Sequence, residues 1–90
     1  MFMKIKEGFV RRNVGGSEVV VAVGKASVEF NAMINLNSTG AFIWSLLEKQ
    51  ADEKEIVDAM AEKYGIDTEL ASRDVRAFLE KARSAGVIEE

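Results

Sequence analysis

The sequence predicts an α+β fold in which a three-stranded antiparallel sheet is followed by a bundle of three helices. β-Branched runs and glycines fill the chain up to about residue 36, and a helical period of apolar residues begins after it. The length of 90 residues allows a single domain, which we place at residues 1–90. Because a three-stranded sheet cannot bury its face alone, we expect the helices to cover it.

The strands are predicted from side-chain alternation and from turn residues. Phe9–Val14 and residues 18–23 flank Gly15 and Gly16, which is the pattern of a β-hairpin. A shorter run over residues 32–36 alternates apolar and polar side chains, so we predict a third strand with one buried face. Residues 3–5 could add a fragment of strand.

Three helices are predicted after the strands, and a residue that can cap the first turn precedes each of them. Asn37 or Ser38 caps the first helix, which we expect to end near Lys49. The second helix begins at Asp52, and Glu55 three positions later completes a capping box.

The third helix has the clearest period in the chain. Asp67 caps it and Gly86 ends it, after which residues 87–88 can fold back onto the core. Its predicted core stripe consists of Ala71, Val75, Phe78, Leu79 and Ala82.

Trp44 in the first helix allows two interpretations. Ile43 and Leu47 accompany it on an apolar stripe, which favours a core position. The alternative is an exposed aromatic platform on which a ligand stacks.

The composition argues against catalysis. The chain has no Cys and no His, so it lacks thiolate and imidazole metal ligands, a Cys nucleophile and a His general base. We therefore predict no enzyme activity, no metal and no cofactor. The carboxylates crowded into residues 48–69 are interpreted as a solvated helix surface rather than as an acid–base or magnesium site.

No apolar run approaches the ~20 residues of a membrane span, and residues 1–12 lack a secretory signal pattern. We expect a cytoplasmic protein with no membrane partner.

The charge pattern argues against a nucleic-acid partner. The net charge is −3, and the predicted third helix carries four basic and four acidic side chains. Since phosphate contacts supply most non-specific DNA affinity, a winged-helix DNA-binding regulator is a disfavoured alternative. A small adaptor that docks another protein is the second alternative. Residues 1–25 carry five basic and two acidic side chains, so the hairpin could attract an acidic peptide.

Residues 33–47, MINLNSTGAFIWSLL, resemble the LN-x-T-x-x-x-x-W-x-L-L segment of the PqqD family. The similarity continues in the same order through residues 8–12, 19–21, 55–57, 64–65 and 74–79. The resemblance rests on the order and spacing of these motifs taken together.

This resemblance implies a function. The namesake of the family acts in pyrroloquinoline quinone (PQQ) biosynthesis as a peptide chaperone that presents a precursor peptide to a radical S-adenosylmethionine enzyme. The wider class consists of recognition elements for ribosomally made, post-translationally modified peptides (RiPPs). These elements are small winged-helix-like domains that bind leader peptides. The expected partners are thus a leader peptide and a radical S-adenosylmethionine or other peptide-modifying enzyme.

The resemblance also implies that the leader adds as a strand to the third β-strand and lies along the third helix. Strand addition needs an open edge with flanking pockets. We therefore predict a peptide-binding site made of Met33, Ile34, Asn35, Leu36, Leu70, Asp74, Ala77 and Lys81. Ala77 is small enough to let a peptide backbone approach, and Asp74 and Lys81 could select charges. The alternative is that these helix positions are merely the edge of an amphipathic helix. An open strand edge would also permit a homodimer.

Overall fold

The computed structural model of the chain describes residues 2–25, 27 and 33–90. Its elements follow in the order β1, β2, β3, β4, α1, α2, α3, β5. The strands are β1 (Lys4–Ile5), β2 (Phe9–Val14), β3 (Ser17–Ala22), β4 (Ile34–Leu36) and β5 (Ile88–Glu89). The helices are α1 (Ser38–Glu48), α2 (Glu53–Tyr64) and α3 (Thr68–Ala85). The predicted α+β class, with a three-stranded antiparallel sheet and three helices, is confirmed.

The main sheet has the strand order β2-β3-β4. Gly15 and Gly16 join β2 to β3 with φ angles of 60° and 86°, which glycine adopts without strain in a tight hairpin turn. β4 pairs antiparallel with β3, with Leu36 opposite Glu18 and Ile34 opposite Val20. β4 is shorter than the predicted run, because Met33 precedes the strand and residue 32 lies outside the described residues.

A second sheet joins the two ends of the chain. β1 and β5 pair antiparallel, with Lys4 opposite Glu89. The fragment predicted at residues 3–5 and the return of residues 87–88 to the core are both confirmed. Met3 also bridges Ala51 through two backbone hydrogen bonds, of 2.8 and 3.0 Å. The backbone of the N-terminal segment is therefore held on two sides.

The predicted caps lie where the helices begin. Asn37 Oδ1 accepts a hydrogen bond of 2.8 Å from the backbone N–H of Gly40. Asp52 and Glu55 form a reciprocal capping box at the start of α2, and Asp67 caps α3. These side chains satisfy backbone N–H groups that have no partner within the helix, which explains why the helix starts were readable from the sequence.

The core consists of two neighbouring clusters of buried side chains. The larger joins all three helices and includes Leu47, Met60 and Leu79. The smaller lies where the main sheet meets the helices and consists of Val20, Trp44, Ala82 and Val87. Trp44 is only 1% exposed, so the core interpretation of this residue is confirmed. Four of the five predicted stripe residues of α3 are buried, whereas Phe78 is half-buried.

Candidate peptide groove

Two adjoining cavities lie along helix α3, and we call them together the β4–α3 groove. The first lies between strand β4 and α3, and the second continues from it between the start of α1 and α3. The first cavity has a volume of about 240 Å³. It is lined by Ile34, Asn35, Leu36, Asn37, Gly40, Trp44, Phe78, Lys81, Ala82, Ala85 and Val87. The second cavity, of about 260 Å³, is lined by Asn37, Thr39, Gly40, Ile43, Asp74, Ala77, Phe78 and Lys81. Four residues line both: Asn37, Gly40, Phe78 and Lys81.

Six of the eight residues predicted for the peptide site line this groove. The first cavity is lined by Ile34, Asn35, Leu36 and Lys81, and the second by Asp74, Ala77 and Lys81. The remaining two, Met33 and Leu70, line neither cavity and are 58% and 43% exposed. Leu70 lies two helical turns before Ala77, so it extends the same face of α3 beyond the groove.

Strand β4 offers the open edge that strand addition requires. It is the last strand in the order β2-β3-β4, so in the described part of the chain only one of its sides pairs with another strand. The half-buried Ile34 and Leu36 alternate with the exposed Asn35. The backbone groups on the other side of β4 are therefore available to an incoming extended chain.

The α3 side of the groove combines small side chains with one cation. Ala77, Ala82 and Ala85 place little bulk beside the cavities, so a second backbone can approach the helix closely. Lys81 lies at the junction of the two cavities, and Asp74 lines only the second. The first cavity is thus mainly apolar, with Lys81 as its one charged side chain, whereas the second is lined by both Asp74 and Lys81.

Sequence reasoning missed several residues that line the groove. Phe78 was assigned to the core stripe; its half-buried ring packs against both core clusters and also lines both cavities. Trp44 and Val87 are core residues that also border the first cavity. The helical period of 3.6 residues in the sequence cannot show that a residue both packs in the core and lines the groove. Core-facing and groove-facing positions are neighbours around α3.

Gly40 is the one missed residue that carried a sequence signal, since glycine is unfavourable in a helix. A β-carbon at this position would lie 3.1 Å from Asn37 Oδ1 and 3.3 Å from Phe78 Cε2. The missing side chain therefore lets the Phe78 ring pack against the first turn of α1. Gly40 shapes the point where the two cavities meet.

Gly40→Ala should lower the free energy of unfolding by about 1 kcal/mol, although alanine is intrinsically the better helix former. The added methyl group crowds both the Asn37 cap and the Phe78 ring. Urea denaturation followed by circular dichroism measures the change. In a Phe78→Leu background the loss should shrink, because the ring is gone. A Gly40→Ala chain more stable than the parent would contradict this packing.

The basic hairpin is separate from the groove, since no residue of β2 or β3 lines either cavity. Arg11 Nη1 donates a hydrogen bond of 3.2 Å to the carbonyl of Ala41. Its Nη2 lies 3.6 Å from Glu48 Oε1. Arg11 therefore ties the hairpin to α1, and the hypothesis that the hairpin attracts an acidic peptide stays a prediction.

Among the described residues, no group of three or more acidic side chains is placed to hold a metal ion. None of the helices in the same residues is both long and apolar enough to cross a membrane.

Among solved structures, the chain is similar to TbiB1 in complex with the TbiA(beta) leader peptide. The two chains share 29% sequence identity at a TM-score of 0.77, covering 96% of this chain and 94% of that chain. A second similar structure is the solution NMR structure of the PqqD truncation of Methylobacterium extorquens PqqCD, described as a stand-alone RiPP recognition element. It shares 14% identity at a TM-score of 0.76, covering 99% of this chain and 89% of that chain. The second likeness shows a common fold.

The search of curated protein sequences gave no match. The family model described as coenzyme PQQ synthesis protein D (PqqD) matches residues 18–88, which include both sides of the groove. The resemblance first noted in residues 33–47 thus extends over most of the chain, which belongs to the PqqD family.

Proposed function

We propose that this chain is a RiPP recognition element that binds the leader of a precursor peptide in the β4–α3 groove. The observation that carries the proposal is the position of an open strand edge directly beside a cavity lined by α3. TbiB1, which has the same fold at 29% identity, is a protein in complex with a leader peptide. An extended peptide that pairs with β4 satisfies a row of edge backbone groups at once.

The two cavities suggest which side chains the leader presents. Successive side chains of a strand point to opposite faces, so residues two apart reach the same side of the groove. In the first cavity, Leu36, Phe78 and Ala85 favour an apolar side chain. In the second, Asp74 and Lys81 favour a polar or charged one. Backbone pairing then supplies affinity, and the cavities supply selectivity.

The proposed role is presentation of the peptide and not catalysis. Binding along β4 leaves the rest of the precursor free to reach the active site of a modifying enzyme, for which we propose the radical S-adenosylmethionine type. The open edge of β4 could also pair with a second copy of the chain. In that case leader binding would dissociate a homodimer, and sedimentation velocity with and without peptide would detect the change.

An amide NMR titration tests the proposed function. A candidate precursor is any short reading frame beside the gene for this chain, and the probe is its synthetic leader peptide. We expect chemical-shift changes to concentrate in residues 33–37 and 70–81. Changes confined to the hairpin or to α2 would contradict the groove, and no change at all would contradict leader binding. The DNA-binding alternative gains no support, because the exposed charges of α3 and its cap Asp67 sum to zero, four basic against four acidic side chains.

A further inference from the structure

The indole N–H of Trp44 is a buried donor that lacks an acceptor. The side chain is 1% exposed. Its Nε1 atom has no hydrogen-bond partner in residues 2–25, 27 and 33–90. The indole nitrogen can only donate, and buried tryptophans usually find a partner for it. A buried donor left unpaired carries the full penalty of its lost hydration.

The position of the ring suggests where the acceptor comes from. Trp44 borders the first cavity, as do its cluster neighbours Ala82 and Val87. The side chains that pack on this cluster from the groove side include Leu36 and Phe78, which are only half-buried. Small movements of these two side chains would therefore open the indole to a molecule in the groove.

We propose that the bound leader supplies this acceptor, as an oxygen that receives the hydrogen bond from Trp44 Nε1. The inference rests on the proposed leader binding and adds to its chemistry. The leader must bring an oxygen, from a backbone carbonyl or from a polar side chain, into a cavity that is mainly apolar. Such a bond removes a penalty already present in the free protein, so it favours the bound state. Trp44 is then a specificity-determining residue as well as a core residue.

Trp44 is the only tryptophan in the chain, so its indole gives a single cross-peak in a ¹H–¹⁵N spectrum. On titration with the adjacent-gene leader peptide we expect the indole proton to shift downfield and to exchange more slowly with solvent. The backbone amides of β4 and α3 report leader binding in the same spectra. If those amides move while the indole resonance does not, the inference fails and the proposed function stands. If nothing moves, both fail.

A variant series identifies the oxygen. Trp44→Phe should weaken leader binding about three- to tenfold, the scale of one hydrogen bond. The control Tyr64→Phe also removes a polar hydrogen from an aromatic side chain, but Tyr64 lines neither cavity, so binding should not change. Apolar replacement of each polar leader residue follows. If one leader replacement makes the parent and Trp44→Phe bind equally well, the side chain replaced there is the acceptor. If Trp44→Phe still binds more weakly than the parent with every replaced leader, the acceptor is a backbone carbonyl. Unweakened binding by Trp44→Phe overturns the inference.

Discussion

Trp44→Ala should lower the free energy of unfolding by ~3–5 kcal/mol, the scale measured when a large buried aromatic side chain is truncated. Trp44 is the largest fully buried side chain among the described residues and joins β3 to α3 through Val20 and Ala82. Its removal leaves a cavity in the smaller core cluster. Among the described residues, this is the only cluster that packs the main sheet onto the helices. Small domains are stable by about 5–15 kcal/mol in total, so the variant should be close to unfolding.

Urea denaturation followed by far-ultraviolet circular dichroism measures this loss without using tryptophan fluorescence. Tyr64→Ala is the matched control, because Tyr64 is 37% exposed. Its ring meets Phe42 edge-on, with centroids 6.0 Å apart. We expect this control to lose only about 1 kcal/mol. A Trp44→Ala chain that loses no more than the control would show that the tryptophan is not a core residue.

Ala77→Trp should abolish leader binding, with an affinity at least about a hundredfold lower, equivalent to roughly 2.7 kcal/mol. Ala77 lines the second cavity with Asp74 and Lys81, and an indole there would fill the space that a peptide needs. The position is exposed, so the free energy of unfolding should change by about 0.5 kcal/mol or less. Isothermal titration calorimetry with the leader peptide measures the affinity.

Glu80→Trp is the control for this substitution. Glu80 is exposed on the same helix and lines neither cavity. It receives the same bulky side chain at a similar cost in helix propensity, so its affinity for the leader should equal that of the parent. If Ala77→Trp binds as the parent does, the leader does not lie along this part of α3, although membership of the PqqD family would stand.

Features fixed by local chemistry were predictable from the sequence. The hairpin follows from Gly15–Gly16 between two alternating runs, and the helix starts follow from Asn37, Asp52 and Asp67. Each depends on residues within about four positions of one another, where turn and capping rules apply.

Features that depend on distant parts of the chain were not predictable. The pairing of β1 with β5 joins two strands of two residues each, too short to show any period. In the groove, the sequence identified the exposed positions of α3 and the core packing of Phe78, but not that this ring also lines both cavities. Gly40 and Phe78 meet only because α1 and α3 pack together, and no local pattern encodes that contact.

The β1–β5 pairing brings the first and last strands of the described chain together. Lys4 and Glu89 are partners across two antiparallel strands, so the two ends of the described chain lie side by side. The order in which the elements are translated is therefore not essential to their arrangement in space. A short linker could join the ends, and new ends could be opened at the Gly15–Gly16 turn, where an added β-carbon would meet no neighbouring atom within 4 Å. In such a circular permutant, the segment from β4 through α1 and α2 to α3 would stay uninterrupted, and the groove would be preserved.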